Sequence, residues 1–125
     1  MGLNRDEILG KSRGRVEEIK VPEWGGTVFV KEITASERDA FEASSLDKKG
    51  SAKMVNIRAR LAVLTLSDST GLRMFSDSDV AALGELPASA MDRIFEASMR
   101  INRLTKSDVD ELEKNYENQA EAPAA

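Results

Sequence analysis

"VPEWGGTVFVKEITASERDAFE" runs from Val21 to Glu42 and holds the only tryptophan of a 125-residue chain. Just upstream, "VEEIKVP" alternates Ile19 and Val21 with charged residues, the pattern of a half-exposed strand. "PEWGG" interrupts it, because Pro22 lacks an amide donor and Gly25 and Gly26 tolerate positive φ. "TVFVKEI", with Phe29 at its centre, is rich in β-branched and aromatic residues and reads as a second strand. Together they predict an antiparallel β-hairpin with a turn of about four or five residues. A hairpin alone is marginal in water, so it must lie on a second layer. Trp24 is the largest apolar group available to dock it. Thr34 and Glu37 then form a capping box that opens a helix, with Phe41 as its core anchor.

The flanking segments supply that second layer. "NRDEILG" is a short helix candidate, capped by Asn4 with Glu7 closing the box, and stopped by Gly10. "KMVNIRARLAVLTL" is the most apolar segment and predicts a central helix, with Met54, Ile57, Leu61 and Leu64 on one face. Its end, Leu61 to Leu66, has a strand as the minor alternative to a helix buried nearly all round. "SDSTGLRMF" predicts a turn and an extended piece ending at Phe75. "SDSDVAALG" predicts a short helix boxed by Ser76 and Asp79. In "LPASAMDRIFEASMRINRL", Met91, Ile94, Phe95, Ser98 and Ile101 form one stripe, and Asp92, Arg93, Glu96, Arg100 and Arg103 the other. Pro87 suits the first turn, and Glu96 with Arg100 predicts an i,i+4 ion pair. A last amphipathic helix carries Val109, Leu112 and Tyr116, and "ENQAEAPAA" has the composition of disorder. The fold class expected is α+β: a mainly helical body with an N-terminal antiparallel hairpin. It forms one domain over residues 1–118, partly mobile over 1–15, with a disordered tail over 119–125.

Composition excludes several functions. No cysteine and no histidine are present, which removes thiolate and imidazole metal sites and Ser-His-Asp or Cys-His catalysis. From Thr105 onward six acids face two lysines, so that segment carries the whole net charge of −4 and the rest is neutral. A neutral body is no surface for phosphate neutralisation, so no nucleic-acid partner is expected. No apolar run reaches the roughly 20 residues that span a membrane, so no membrane partner is expected either. "MGLNRDEILGKS" lacks the apolar core of a signal peptide, and Asp6 breaks the myristoylation pattern.

Two constellations invite chemistry and fail on inspection. "LSDSTGLRMFSD" has a glycine where a calcium loop wants one, but Leu66 then stands at the first ligand position. The carboxylate pairs Glu17-Glu18, Asp77-Asp79 and Asp108-Asp110 sit at capping or solvent positions, whereas acid–base work needs a dry pocket. No catalytic, cofactor or metal residue is assigned, and no cofactor is expected. The structural or interface candidates are Trp24, Gly25, Gly26, Phe29, Phe41, Phe75 and Phe95. Met54, Met74, Met91 and Met99 are adaptable apolar groups that read as core at these spacings. The residues alone describe a small α+β interaction module.

The order of several motifs carries the reading further. The PEWGG hairpin leads into "ERDAFE". Then D-x-x-G-x-R-x-F-x-x-x-D-V-x-x-L runs from Asp68 to Leu83, and a helix ends in "RINRL". From about Val16 to Leu112 this resembles the tail assembly chaperones of long-tailed, lambda-type phages and their prophages. The resemblance implies a non-catalytic factor of the host bacterial cytoplasm. Such a factor binds the long, largely helical tape measure protein, keeps it soluble, helps recruit tail tube subunits, and is absent from finished virions. It also implies a longer product made by a −1 ribosomal frameshift, whose extension contacts the tail tube protein; Glu113-Lys114-Asn115 can encode a slip site as GAA-AAA-AAC. Many copies on one client fit such a role, so a homo-oligomer is compatible with it. The rival readings are a structural virion component, such as a tail-completion or connector protein, and a small regulatory protein.

Overall fold

The computed structural model describes residues 2–10, 14–45, 49 and 54–104. Expectations for the segment after Leu104, and for most of the loop before Met54, lie outside the described residues. Within them the fold is α+β, a three-stranded antiparallel sheet with five α-helices. The helices are α1 (Arg5–Leu9), α2 (Ala35–Ser44), α3 (Ile57–Thr65), α4 (Val80–Gly84) and α5 (Ala88–Ile101). The strands are β1 (Val16–Val21), β2 (Gly26–Lys31) and β3 (Leu66–Ser67), in the order β1-β2-β3.

The hairpin is as its turn chemistry predicts. β1 and β2 pair from Val16↔Lys31 to Val21↔Gly26, and Pro22–Trp24 makes one 3-10 turn between them. Gly25 closes that turn at φ +65°, in the left-handed region that a Cβ disfavours. Gly26 takes no positive φ and simply starts β2. Trp24 is a correction: the residue is 41% exposed, so it is no buried anchor. The hairpin is held instead by Val21 and Val30, both fully buried, and by Ile19 and Val28, which pack on the same core. A Glu23–Arg93 ion pair at 3.0 Å ties the turn to α5.

α3 resolves the ambiguity at its end. It is helical through Thr65, and Leu66–Ser67 then turns extended to pair with Phe29 and Val30. Leu61 to Thr65 are buried all round, which explains why the run has no helical period to read. The helix starts later than the apolar pattern suggests, at Ile57, after Asn56 in a left-handed conformation; Val55 is exposed.

α5 lays Met91, Ile94, Ser98 and Ile101 against the core, with Phe95 half-buried beside them. Each large aliphatic so buried contributes about 1.5–3 kcal/mol. Pro87 stands one residue before the helix, at its N-cap. The expected Glu96–Arg100 pair is not formed: Arg100 reaches Glu17 on β1 at 3.0 Å, a contact between distant segments that helical spacing cannot reveal.

Polar groups inside this core are paired. The Thr65 and Ser98 hydroxyls meet at 2.9 Å between α3 and α5. Asn102, just past α5, accepts from the Ile33 N–H at 2.7 Å and donates to the carbonyls of Lys31 and Ser98. Its carboxamide thereby serves the edge of β2 beyond the point where β3 ends.

Candidate functional site

An apolar concavity lies between α2, α3 and the strap from Arg73 to Val80, with a volume of about 360 Å³. On α2 it is lined by Glu37, Ala40, Phe41 and Ser44, and on α3 by Arg60, Val63 and Leu64. Both sets follow i, i+3, i+4 spacing, which brings one face of each helix to the groove. Phe41, Val63 and Leu64 form the buried floor. Val80 closes one side, and Glu37, Arg60, Arg73 and Asp77 supply charges around the apolar surface.

Local chemistry sets these walls. The Thr34 hydroxyl accepts from the Glu37 N–H at 3.1 Å, and the Glu37 carboxylate accepts from the Thr34 N–H at 2.9 Å, so the capping box forms in full. The same carboxylate accepts from Lys31 Nζ at 2.8 Å, fastening α2 to the end of β2. Burial pushes the Glu37 carboxyl up, but the hydrogen bonds from Lys31 and Thr34 and the Lys31 charge outweigh it and hold the group below its ordinary value. The Arg60 guanidinium lies 5.9 Å from the centre of the Phe41 ring, a cation–π distance.

The strap gives each residue of the Asp68–Leu83 motif a task. Asp68 Oδ1 accepts from the N–H groups of Thr70 and Leu72 and from the Thr70 hydroxyl, closing the turn. Those donors lower its pKa, the Thr70 hydroxyl most. One oxygen is thus given over to the loop rather than turned outward as a cation ligand. Gly71 follows at φ +92°. Arg73 pairs with Ser67 across a β-bridge, donates from Nε to the Val63 carbonyl at 2.9 Å, and reaches Asp77 at 3.3 Å. Asp79 completes the box with Ser76, Phe75 packs on the core, and Leu83 is buried.

Of the candidates read from sequence, only Phe41 lines this groove. Trp24 and Gly25 sit at the hairpin turn and Gly26 at the start of β2. Phe29 is half-buried on β2, and Phe75 and Phe95 pack on the core. The arrangement does not gather them into one site. Ala40, Arg60, Val63, Leu64 and Val80 were not assigned a site from sequence; the i, i+3, i+4 sets on two helices were the available signal. Met54 and Met99 are half-buried on the core and Met91 is buried, as expected, but Met74 is 63% exposed.

Residues 5–115 match the family model for phage tail assembly chaperones. The fold is similar to that of the tail assembly chaperone of bacteriophage HK97, with a TM-score of 0.57 and 17% identity, over 73% of this chain and 84% of that one. No curated protein sequence matches.

Proposed function

The chain belongs to the phage tail assembly chaperone family, and from that premise we propose that it binds a tape measure protein and keeps it soluble while the tail is built. The action is binding without catalysis, in the host bacterial cytoplasm. The chain helps recruit tail tube subunits and leaves no copy in the finished virion.

The groove between α2 and α3 carries this reading. A long helical client exposes an apolar stripe that aggregates when alone. A helix laid in a groove buries that stripe through side chains at i, i+3, i+4 and i+7. Here an apolar floor of Phe41, Val63 and Leu64 is flanked by charges of both signs, matching an apolar stripe with charged borders. The test is co-expression. The tape measure protein is expected to move from the pellet to the soluble fraction and to co-elute with this chain. Ala40→Glu, at an exposed position on the groove wall, is expected to abolish co-elution while the melting temperature holds. A tape measure protein that is equally soluble without the chain overturns the reading. Retention of the chain in purified particles favours a virion component instead.

The longer product belongs to the same proposal. Glu113-Lys114-Asn115 reads GAA-AAA-AAC in a gene that slips there, and a −1 frame that stays open past that point is expected. Codons GAG-AAG-AAT at this position exclude this slip site.

A further inference from the structure

We infer that segment 105–117 of this same chain lies as a helix in the groove between α2 and α3 until a client displaces it; the inference rests on the groove being the client's site, as proposed above. The chain runs on from Leu104, the last described residue, to Ala125. Its point of departure is fixed. Asn102 holds the Ile33 N–H at 2.7 Å, and the Leu104 N–H donates to the Met99 carbonyl at 2.8 Å, which turns the chain back past the end of α5. Ile33 precedes Ser36, a groove residue, by three positions, at most about 11 Å of extended chain. The four steps from Leu104 to Asp108 span about 14 Å. The segment is thus long enough to enter the groove within a few residues.

Charge and spacing set the direction. At the start of α2, Arg73 stands 3.9 Å from Glu37. At its end, Arg60 donates to the hydroxyls of Ser44 and Ser45 at 3.1 Å. The groove therefore carries one arginine toward each end. Of its two acids, Glu37 is tied to Lys31 at 2.8 Å and the Asp77 side chain is 88% exposed. Ile33 leads into α2 at the Arg73 end, so the segment enters there. Along it Val109, Leu112 and Tyr116 recur at i, i+3 and i+7, the spacing of a helix laid in a groove. At about 100° per residue, Asp108 and Glu113 border that stripe, one on each side. A helix that enters at Arg73 and runs toward Ser44 brings Asp108 to the Arg73 end and Glu113 toward the Arg60 end. Leu112 then lies over Phe41 and Val63, beside Ala40. The segment also carries most of the acids that follow Leu104, in a stretch with a net charge of −4. The chain so offers its own groove an apolar stripe with acidic borders, and the floor that a client needs stays covered while no client is present.

The chain has no cysteine, so a crosslinking pair can be introduced without background. Ala40→Cys with Leu112→Cys, oxidised in the full chain at micromolar concentration, is expected to close an intramolecular disulfide, read as a faster-migrating monomer that reductant reverses. Ala40→Cys with Asp110→Cys, on the far face of the helix, is expected to close at least about tenfold more slowly. Val109→Glu added to the first pair should slow it to the rate of the second. With the natural residue at Ala40, Leu112→Glu is expected to bind the tape measure protein about tenfold more tightly, because the competing segment no longer lowers the fraction of open groove. Equal closure rates for the two pairs overturn the inference. So does a covalent dimer as the main product, since the segment then docks on another copy. A client affinity unchanged by Leu112→Glu overturns the competition. If neither chain binds the client, the function proposed above fails, and the crosslink still decides whether the segment lies in the groove.

Discussion

The two ends of the β1–β2 hairpin are fastened in different ways. At the open end, Lys31 is only 9% exposed, its ammonium is held by Glu37, and the Asn102 carboxamide bonds the backbone on either side of Glu32. At the turn, Trp24 is 41% exposed, and the Glu23–Arg93 pair lies at the surface. The large aromatic draws the eye in the sequence, yet the polar end carries more of the structure. An unsatisfied buried polar group costs the full desolvation penalty, while a half-exposed ring gives up only part of its transfer free energy.

The largest expected effect is at Asn102. Asn102→Ala removes the acceptor of the Ile33 N–H and the donor to the Lys31 and Ser98 carbonyls in a buried site. Leaving such groups unpaired costs about 3 kcal/mol. Chemical denaturation should show this as a lower midpoint with an unchanged slope. A variant as stable as the wild type would mean that the open end is not the stronger one.

Glu37 comes next and adds a pH signature. Its folded pKa is lowered, by hydrogen bonds and charge that outweigh its burial. Its contribution is therefore present above the unfolded value of about 4.3 and is lost as pH falls through the lower folded value. Glu37→Gln keeps the shape and removes the charge facing Lys31. At neutral pH a loss of about 1–2 kcal/mol is expected, the range for hydrogen bonds to a charged group after allowance for its partial exposure. The gap should close in acid, where the wild-type carboxyl is itself protonated. A gap that is constant with pH would assign the effect to something other than the ion pair.

This contrast explains how much was legible beforehand. The hairpin, its four-residue turn, the Thr34 capping box and the buried stripe of α5 were readable because each is a local pattern: alternation, turn chemistry or helical period. The end of α3 was not, because a segment buried on every side has no polar face to mark a period. Trp24 was misread because size was taken for burial, and whether a turn residue is covered depends on what packs against it from far along the chain. The Arg100–Glu17 and Arg93–Glu23 pairs join residues 83 and 70 positions apart, which local spacing cannot show. The groove was half legible. Its helical faces were in the sequence, but the facing of α2 onto α3 required the contacts of Lys31, Glu37 and Arg73.

At the turn, Trp24→Ala is expected to cost about 1 kcal/mol or less, against the 3–5 kcal/mol typical of a fully buried aromatic. Wild-type emission should be that of a partly hydrated indole and should be quenched by a small polar quencher in the native state. A blue-shifted, unquenched spectrum with a large loss on truncation would make the two ends equal.

The smallest effect is expected from the Glu23–Arg93 pair. The two groups stabilise each other's charged forms: the hydrogen bond from Arg93 lowers the Glu23 pKa, and the same contact raises that of Arg93. Both lie at the surface, where water and salt screen the attraction and two side chains must be ordered to make it. Arg93→Ala should therefore leave the melting temperature close to that of the wild type, with any small difference vanishing in high salt. The buried end should behave otherwise: the loss in Asn102→Ala involves neutral groups and should persist at every ionic strength. Measuring both variants across a salt series separates the two fastenings directly. A salt-independent loss in Arg93→Ala would show that its aliphatic stem, rather than its charge, holds the turn against α5.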